Sequence, residues 1–174
     1  MAKGLLQALR DLLEPADPTA GGRDILAETV ARHLVDAEED ERRVVTAIAG
    51  LLACVAYADG VYEPGEAATV REELSRMHGL TPRAVDAICQ VLDEQIGEVT
   101  AVGHQGWVSD LRVLTSEDQR REVLDVLVHL AASAEEFTVK ETNYLRTLTT
   151  MLGLEQKDYN AAQRTHRDKL QVLK

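Results

Sequence analysis

Apolar residues recur along this chain at intervals of three and four. From Asp24 to Asp36 they fall at Ile25, Leu26, Val30, Leu34 and Val35, and from about Asp40 to Ala58 at Val44, Val45, Ile48, Leu51, Leu52 and Val55. Such spacing lays one apolar stripe along a helix and turns it towards a core. Further helices are expected from Glu63-Pro64 to Met77, from Thr81-Pro82 to about Gln95, from Ser116 through Ala131, from Thr138 to Gly153, and from about Gln156 to Leu173. The boundaries carry their own signals. Pro64 and Pro82 suit a first helical turn. Thr81, Ser116 with Gln119, and Thr138 with Glu141 offer caps or capping boxes. Gly60, Gly79 and Gly153 stand where a left-handed residue ends a helix. Residues 97–109 (GEVTAVGHQGWVS) read as a loop, with a short helix near Asp110–Leu114, and His104 and Trp107 as packing or surface residues. No stretch sustains the period-two alternation of a strand, so the fold class expected is all-α, a compact helical bundle.

Residues 3–14 also put Leu5, Leu6, Leu9, Leu12 and Leu13 on one helical face, and Pro15, Pro18 and Gly21-Gly22 follow as a linker. The chain is therefore expected to divide into an N-terminal amphipathic helix with linker, residues 1–22, and a helical domain, residues 23–174. The first helix either folds back on the domain or docks on a partner.

The strongest signal is an internal echo. Leu51–Glu66 (LLACVAYADGVYEPGE) returns 75 positions later as Val126–Glu141 (VLVHLAASAEEFTVKE). Ile48 becomes Val123, Leu52 becomes Leu127, Val55 becomes Leu130 and Ala56 stays Ala131, while Tyr62 becomes Phe137 and Glu66 stays Glu141. Matched positions of this kind read as one helix–turn–helix unit used twice, in two pseudo-repeated halves.

Composition narrows the picture. Aromatic residues are 3% of the 174-residue chain, so its core must come from Leu, Val, Ile and Ala, which favours packed helices over a sheet. A net charge of −11 disfavours nucleic acid as a partner. Cys54 and Cys89 sit inside apolar helical patterns and read as small buried residues rather than a disulfide. No apolar run approaches the roughly 18 residues of a membrane span, which points to a cytoplasmic protein with no direct membrane insertion.

The motif VAYADGVYEPGE resembles the tellurite-resistance protein B (TerB-like) family, in which a small-residue helix, Ala-Asp-Gly, a short turn and a Glu on the next helix follow one another. Here those residues are Ala56, Ala58, Asp59, Gly60, Tyr62 and Glu66. The second half keeps Phe137 and Glu141 but has Ala134-Glu135 in place of Asp-Gly. The resemblance covers about residues 24–170. It implies a bundle of about seven helices, a non-enzymatic role in tellurite and stress response, an acidic metal-binding surface, and a protein partner, membrane proteins included.

Read on their own, Asp59, Glu63 and Glu66 bring carboxylates back across a short turn beside a helix C-terminus. That hard-oxygen setting suits Ca²⁺, Mg²⁺ or Mn²⁺ and makes the three residues the candidate metal ligands. The same residues also serve as plain caps, Asp59 holding turn amides and Glu66 the helix start. Three functions remain open: a partner-binding module with or without a cation, a metal-dependent enzyme of unknown reaction, and a metal-free interaction domain. No Gly-rich phosphate loop, HExxH, CxxC or GxSxG motif is present, and the five histidines are scattered rather than at ligand spacing. His129, on a mostly apolar helix, reads as a core or groove residue.

Overall fold

The computed structural model describes residues 20–133 and 138–172. Its elements are α1 Ala20–His33, α2 Glu39–Ala56, α3 Pro64–Arg76, α4 Pro82–Ala101, α5 Gln105–Leu114, α6 Glu117–Ser133, α7 Val139–Met151 and α8 Gln156–Val172. Among the described residues the protein is all-helical, eight helices where about seven are expected.

The second of these helices sets the architecture. From Val45 to Ala56 α2 is buried on nearly every side, Ile48 alone being only partly covered. A helix apolar all round belongs in the middle of a fold. Six others pack around α2: α1, α3, α4, α5, α6 and α7, while α8 lies outside against α6 and α7. Small residues on α2 let its neighbours approach. A Cβ at Gly50 would lie 2.5 Å from the ring of Trp107 on α5, itself 1% exposed. Trp107 is therefore core, and it fills the space that Gly50 leaves. The helices that carry the two echoed segments, α2 and α6, pack against each other.

The helix ends follow their caps. Thr81 Oγ1 accepts from Ala84 N–H at 3.2 Å, and Ser116 and Gln119 exchange backbone-to-side-chain bonds of 2.9 and 3.2 Å. Each such cap contributes about 1 kcal/mol. Gly60 and Gly79 take φ of 91° and 86°, the left-handed conformation that ends a helix without a Cβ penalty. Cys54 and Cys89 are free and buried.

Three expectations need correction. First, residues 97–101 are helical rather than loop. Gln95 leaves helical geometry (φ −139°, ψ 25°), a kink where the helix was expected to end, yet the chain resumes because Val99 carries the apolar stripe on into the core. In the same region α5 starts at Gln105, five residues early, because Trp107, Val108 and Leu111 already bury one face. Second, Val35 is 67% exposed. The helix stops at His33, and Arg42 reaches back to donate from Nε to Leu34 O (2.8 Å) and from Nη2 to Val35 O (2.7 Å), closing the end of α1. Third, Gly21 and Gly22 lie within α1. A Cβ at Gly22 would stand 2.1 Å from Glu98 O, so this glycine allows α1 to cross α4 at close range. The amphipathic stripe at residues 3–14, with Pro15 and Pro18, lies outside the described residues.

Three of the echoed pairs are equally buried, Leu52 and Leu127 at 0% exposed, Val55 and Leu130 at 1%, and Ala56 and Ala131 at 2%, whereas Ile48 is partly covered and Val123 buried. Ala134, Glu135, Glu136 and Phe137 lie outside the described residues. No helix among the described residues is long and apolar enough to cross a membrane.

Candidate functional site

The acidic turn leaves α2 through capped carbonyls. Tyr57 N–H donates to Ala53 O, Ala58 N–H to Val55 O, and Gly60 N–H to Tyr57 O. Asp59 is exposed, and its Oδ1 accepts from Val61 N–H at 2.9 Å. Glu63, also exposed, precedes Pro64, and its N–H donates to Glu66 Oε2 at 2.9 Å. Glu66 is 8% exposed. Of the three candidate ligands, Glu63 and Glu66 thus share one cap, while Asp59 lies on the solvent side of the turn.

The first turn of α7 repeats the arrangement. Glu141, 4% exposed, accepts through Oε2 from Thr138 N–H (2.6 Å) and the Thr138 hydroxyl (2.8 Å). The two cap carboxylates feel each other. Burial pushes the Glu66 carboxyl above the usual range, the Glu63 N–H bond opposes this, and the charges of Asp59, Glu141 and Glu63 add to the rise. Four carboxylates therefore gather at one end of the bundle. The Ser133 hydroxyl, 3.0 Å from Thr69 Oγ1, ties the end of α6 to the start of α3 there, and Val61 and Val139 stand 54% and 76% exposed beside the two turns. Among the described residues no three His, Cys, Asp or Glu side chains are placed to hold a metal ion. Asp59 and Glu66 each commit one oxygen to a backbone amide, and Glu63 and Glu66 close a capping box on the first turn of α3.

A cleft of about 610 Å³ opens beside this end, lined by the last turns of α2 and α4 and the first turns of α5 and α7. At its floor the Tyr144 hydroxyl lies 3.0 Å from His104 Nδ1 and hydrogen-bonds the thiol of Cys54, which is 7% exposed. Burial pushes the Cys54 thiol up to about 11, with the Tyr144 bond opposing, and holds Tyr144 above its usual range. Burial also lowers His104. All three are neutral at pH 7, so Cys54 is not poised as a nucleophile. His104 pairs with Tyr144 rather than with its sequence neighbour Trp107, 40 residues of chain separating the partners. Only the fold could reveal that pairing.

A second polar cluster ties α3, α6 and α8 together. Glu73, 6% exposed, takes Arg76 Nη1 at 2.8 Å and lies 2.6 Å from His129 Nδ1. The His129 ring stacks on His166 at 4.9 Å and 24°, and His166 Nε2 lies 3.0 Å from Asp125 Oδ1. His129 is partly buried. Its partner lies on the final helix, where residue spacing gave no sign of it.

Comparison with known families places residues 45–164 in a match to the family described as Tellurite resistance protein TerB. No curated protein and no solved structure matches the chain.

Proposed function

Because the chain belongs to the tellurite resistance protein TerB family, we propose that it is a non-catalytic helical module of tellurite and stress response, acting in the cytoplasm. It engages a protein partner, a membrane protein among the candidates, through the end of the bundle that carries the two turns. The family match carries the first half of this reading. The exposed Val61 and Val139 support the second, since they flank acidic residues at a single end and offer an apolar contact with a charged surround. The basic-and-apolar partner surface this implies is tested by placing a photo-crosslinking residue at 61, 139 or 35 in living cells exposed to tellurite. Val35, 67% exposed, precedes α2, whose 18 residues span about 27 Å before the turn that follows it. The expected result is one identified protein joined at both 61 and 139 and absent at 35. Joining at 35 alone, or at none of the three, overturns the reading.

A divalent cation, Ca²⁺, Mg²⁺ or Mn²⁺, at Asp59, Glu63 and Glu66 is the subordinate part of the proposal. The charges of Asp59, Glu63 and Glu141 about Glu66 support it, since a cation would relieve their mutual repulsion. Two or three mostly exposed carboxylates make a weak site, and one whose affinity falls on acidification.

A further inference from the structure

We propose that the cleft between α2, α4, α5 and α7 binds a small anion, a carboxylate or phosphate group, with Lys140 as its charge partner and the Asn143 amide as an orienting donor. This goes beyond the partner-binding end described above and does not depend on it. The first observation is chemical sign. The chain holds 30 acidic residues against 19 Lys and Arg, yet no carboxylate is among the described residues lining this cleft. Its polar wall is Lys140, His104, Asn143, Thr100, Thr147 and the two tyrosines.

The second observation is the placing of Lys140. It occupies the first turn of α7, where the helix dipole disfavours a cation, and it forms no ion pair with any described residue. An anion in the cleft would offset that local cost.

Donor direction narrows the orienting groups. The Tyr144 bond lowers the Cys54 thiol, as a bond donated from the Tyr144 O–H to the sulfur does, so the Tyr144 oxygen is left to accept from His104 Nδ1 and none of these three side chains turns a donor to the cleft. The Thr100 and Thr147 hydroxyls already donate to Ile96 O and Asn143 O of their own helices and do not compete. Where α2 and α4 end beside the cleft, the carbonyls of Ala53, Val55 and Thr100 accept from Tyr57, Ala58 and Gly103 N–H. His104, by contrast, makes no side-chain cap to the first amides of α5, so those donors are not spent on it. The volume of about 610 Å³ suits a small metabolite rather than a chain segment.

The test is a ¹H–¹⁵N titration of the full chain with sodium phosphate and, separately, sodium citrate, each against sodium chloride of equal ionic strength. Expected are saturable shifts confined to the amides of residues 103–106 and 138–144, with at least one anion binding at millimolar concentration or tighter. Lys140→Glu, which places an acid where the helix dipole favours it and so preserves the fold, should weaken that binding at least tenfold. Lys157→Glu, at a surface lysine paired with Glu155, should leave it unchanged. Shifts that chloride reproduces, shifts at other residues, or binding that survives Lys140→Glu overturn the proposal.

Discussion

Gly50→Ala puts the packing of the bundle to a direct test. In an isolated helix this change stabilises by roughly 1 kcal/mol, since Ala loses less backbone freedom than Gly. Here the added Cβ would stand 2.5 to 2.6 Å from three ring atoms of Trp107. Carbon atoms in contact prefer about 3.5–4.0 Å, so the ring must retreat by roughly 1 Å. Trp107 is 1% exposed and has no open side to move into. Overpacking costs about 1–3 kcal/mol, and a rigid, enclosed ring belongs at the top of that range. Net destabilisation is then about 2 kcal/mol, or roughly 4–8 °C in Tm for a protein of this size. Gly97→Ala is the control. Gly97 is also helical, but the nearest atom to its added Cβ, Tyr57 Oη, is 4.0 Å away, so this variant should gain stability instead. Thermal unfolding followed by circular dichroism reads both, and Gly50→Ala should cost less in a Trp107→Leu background than in the wild type. If Gly50→Ala melts at or above the wild-type temperature, α2 and α5 do not meet as described.

The acidic end carries two further predictions. A raised Glu66 pKa means the folded protein holds that proton more tightly than the unfolded chain, so its contribution to stability is complete below the ordinary glutamate range and is lost as pH rises through the folded value. Glu66→Gln keeps an acceptor for Glu63 N–H without the charge; its Tm should exceed wild type at pH 7, and the gap should close near pH 4, whereas a gap that widens on acidification contradicts the assignment. Millimolar Ca²⁺ or Mn²⁺ should raise the wild-type Tm at low ionic strength, and Asp59→Asn should abolish the shift while its Oδ1 still holds Val61 N–H; an unchanged wild-type Tm reduces the turn to a pair of helix caps.

Much of this fold was legible because the information was local. The apolar stripes and the caps at Thr81, Ser116 and Thr138 each involve residues within one or two turns, and the helices follow them. The stretch 97–109 misled because three glycines and a lone Trp resemble a loop. The stripe running through Val99, Trp107, Val108 and Leu111 was the stronger force, since each is buried. Gly22 looked like a linker residue for the same reason, though its lack of a side chain serves a helix crossing. In the candidate site, the cap of Glu66 could be read from its spacing to Glu63. The His104–Tyr144 and His129–His166 pairs could not, because partners 40 and 37 residues apart meet only through tertiary packing.

The central claim is that the turn-bearing end of the bundle serves tellurite resistance. In a strain lacking this chain, survival on tellurite should be restored by the wild type and by Val35→Asp, whose valine lies at the opposite end of α2. It should not be restored by Val61→Asp combined with Val139→Asp, expressed to the same level and folded to the same Tm. Equal rescue by the double variant, or no loss of resistance in the strain without the chain, would contradict the account.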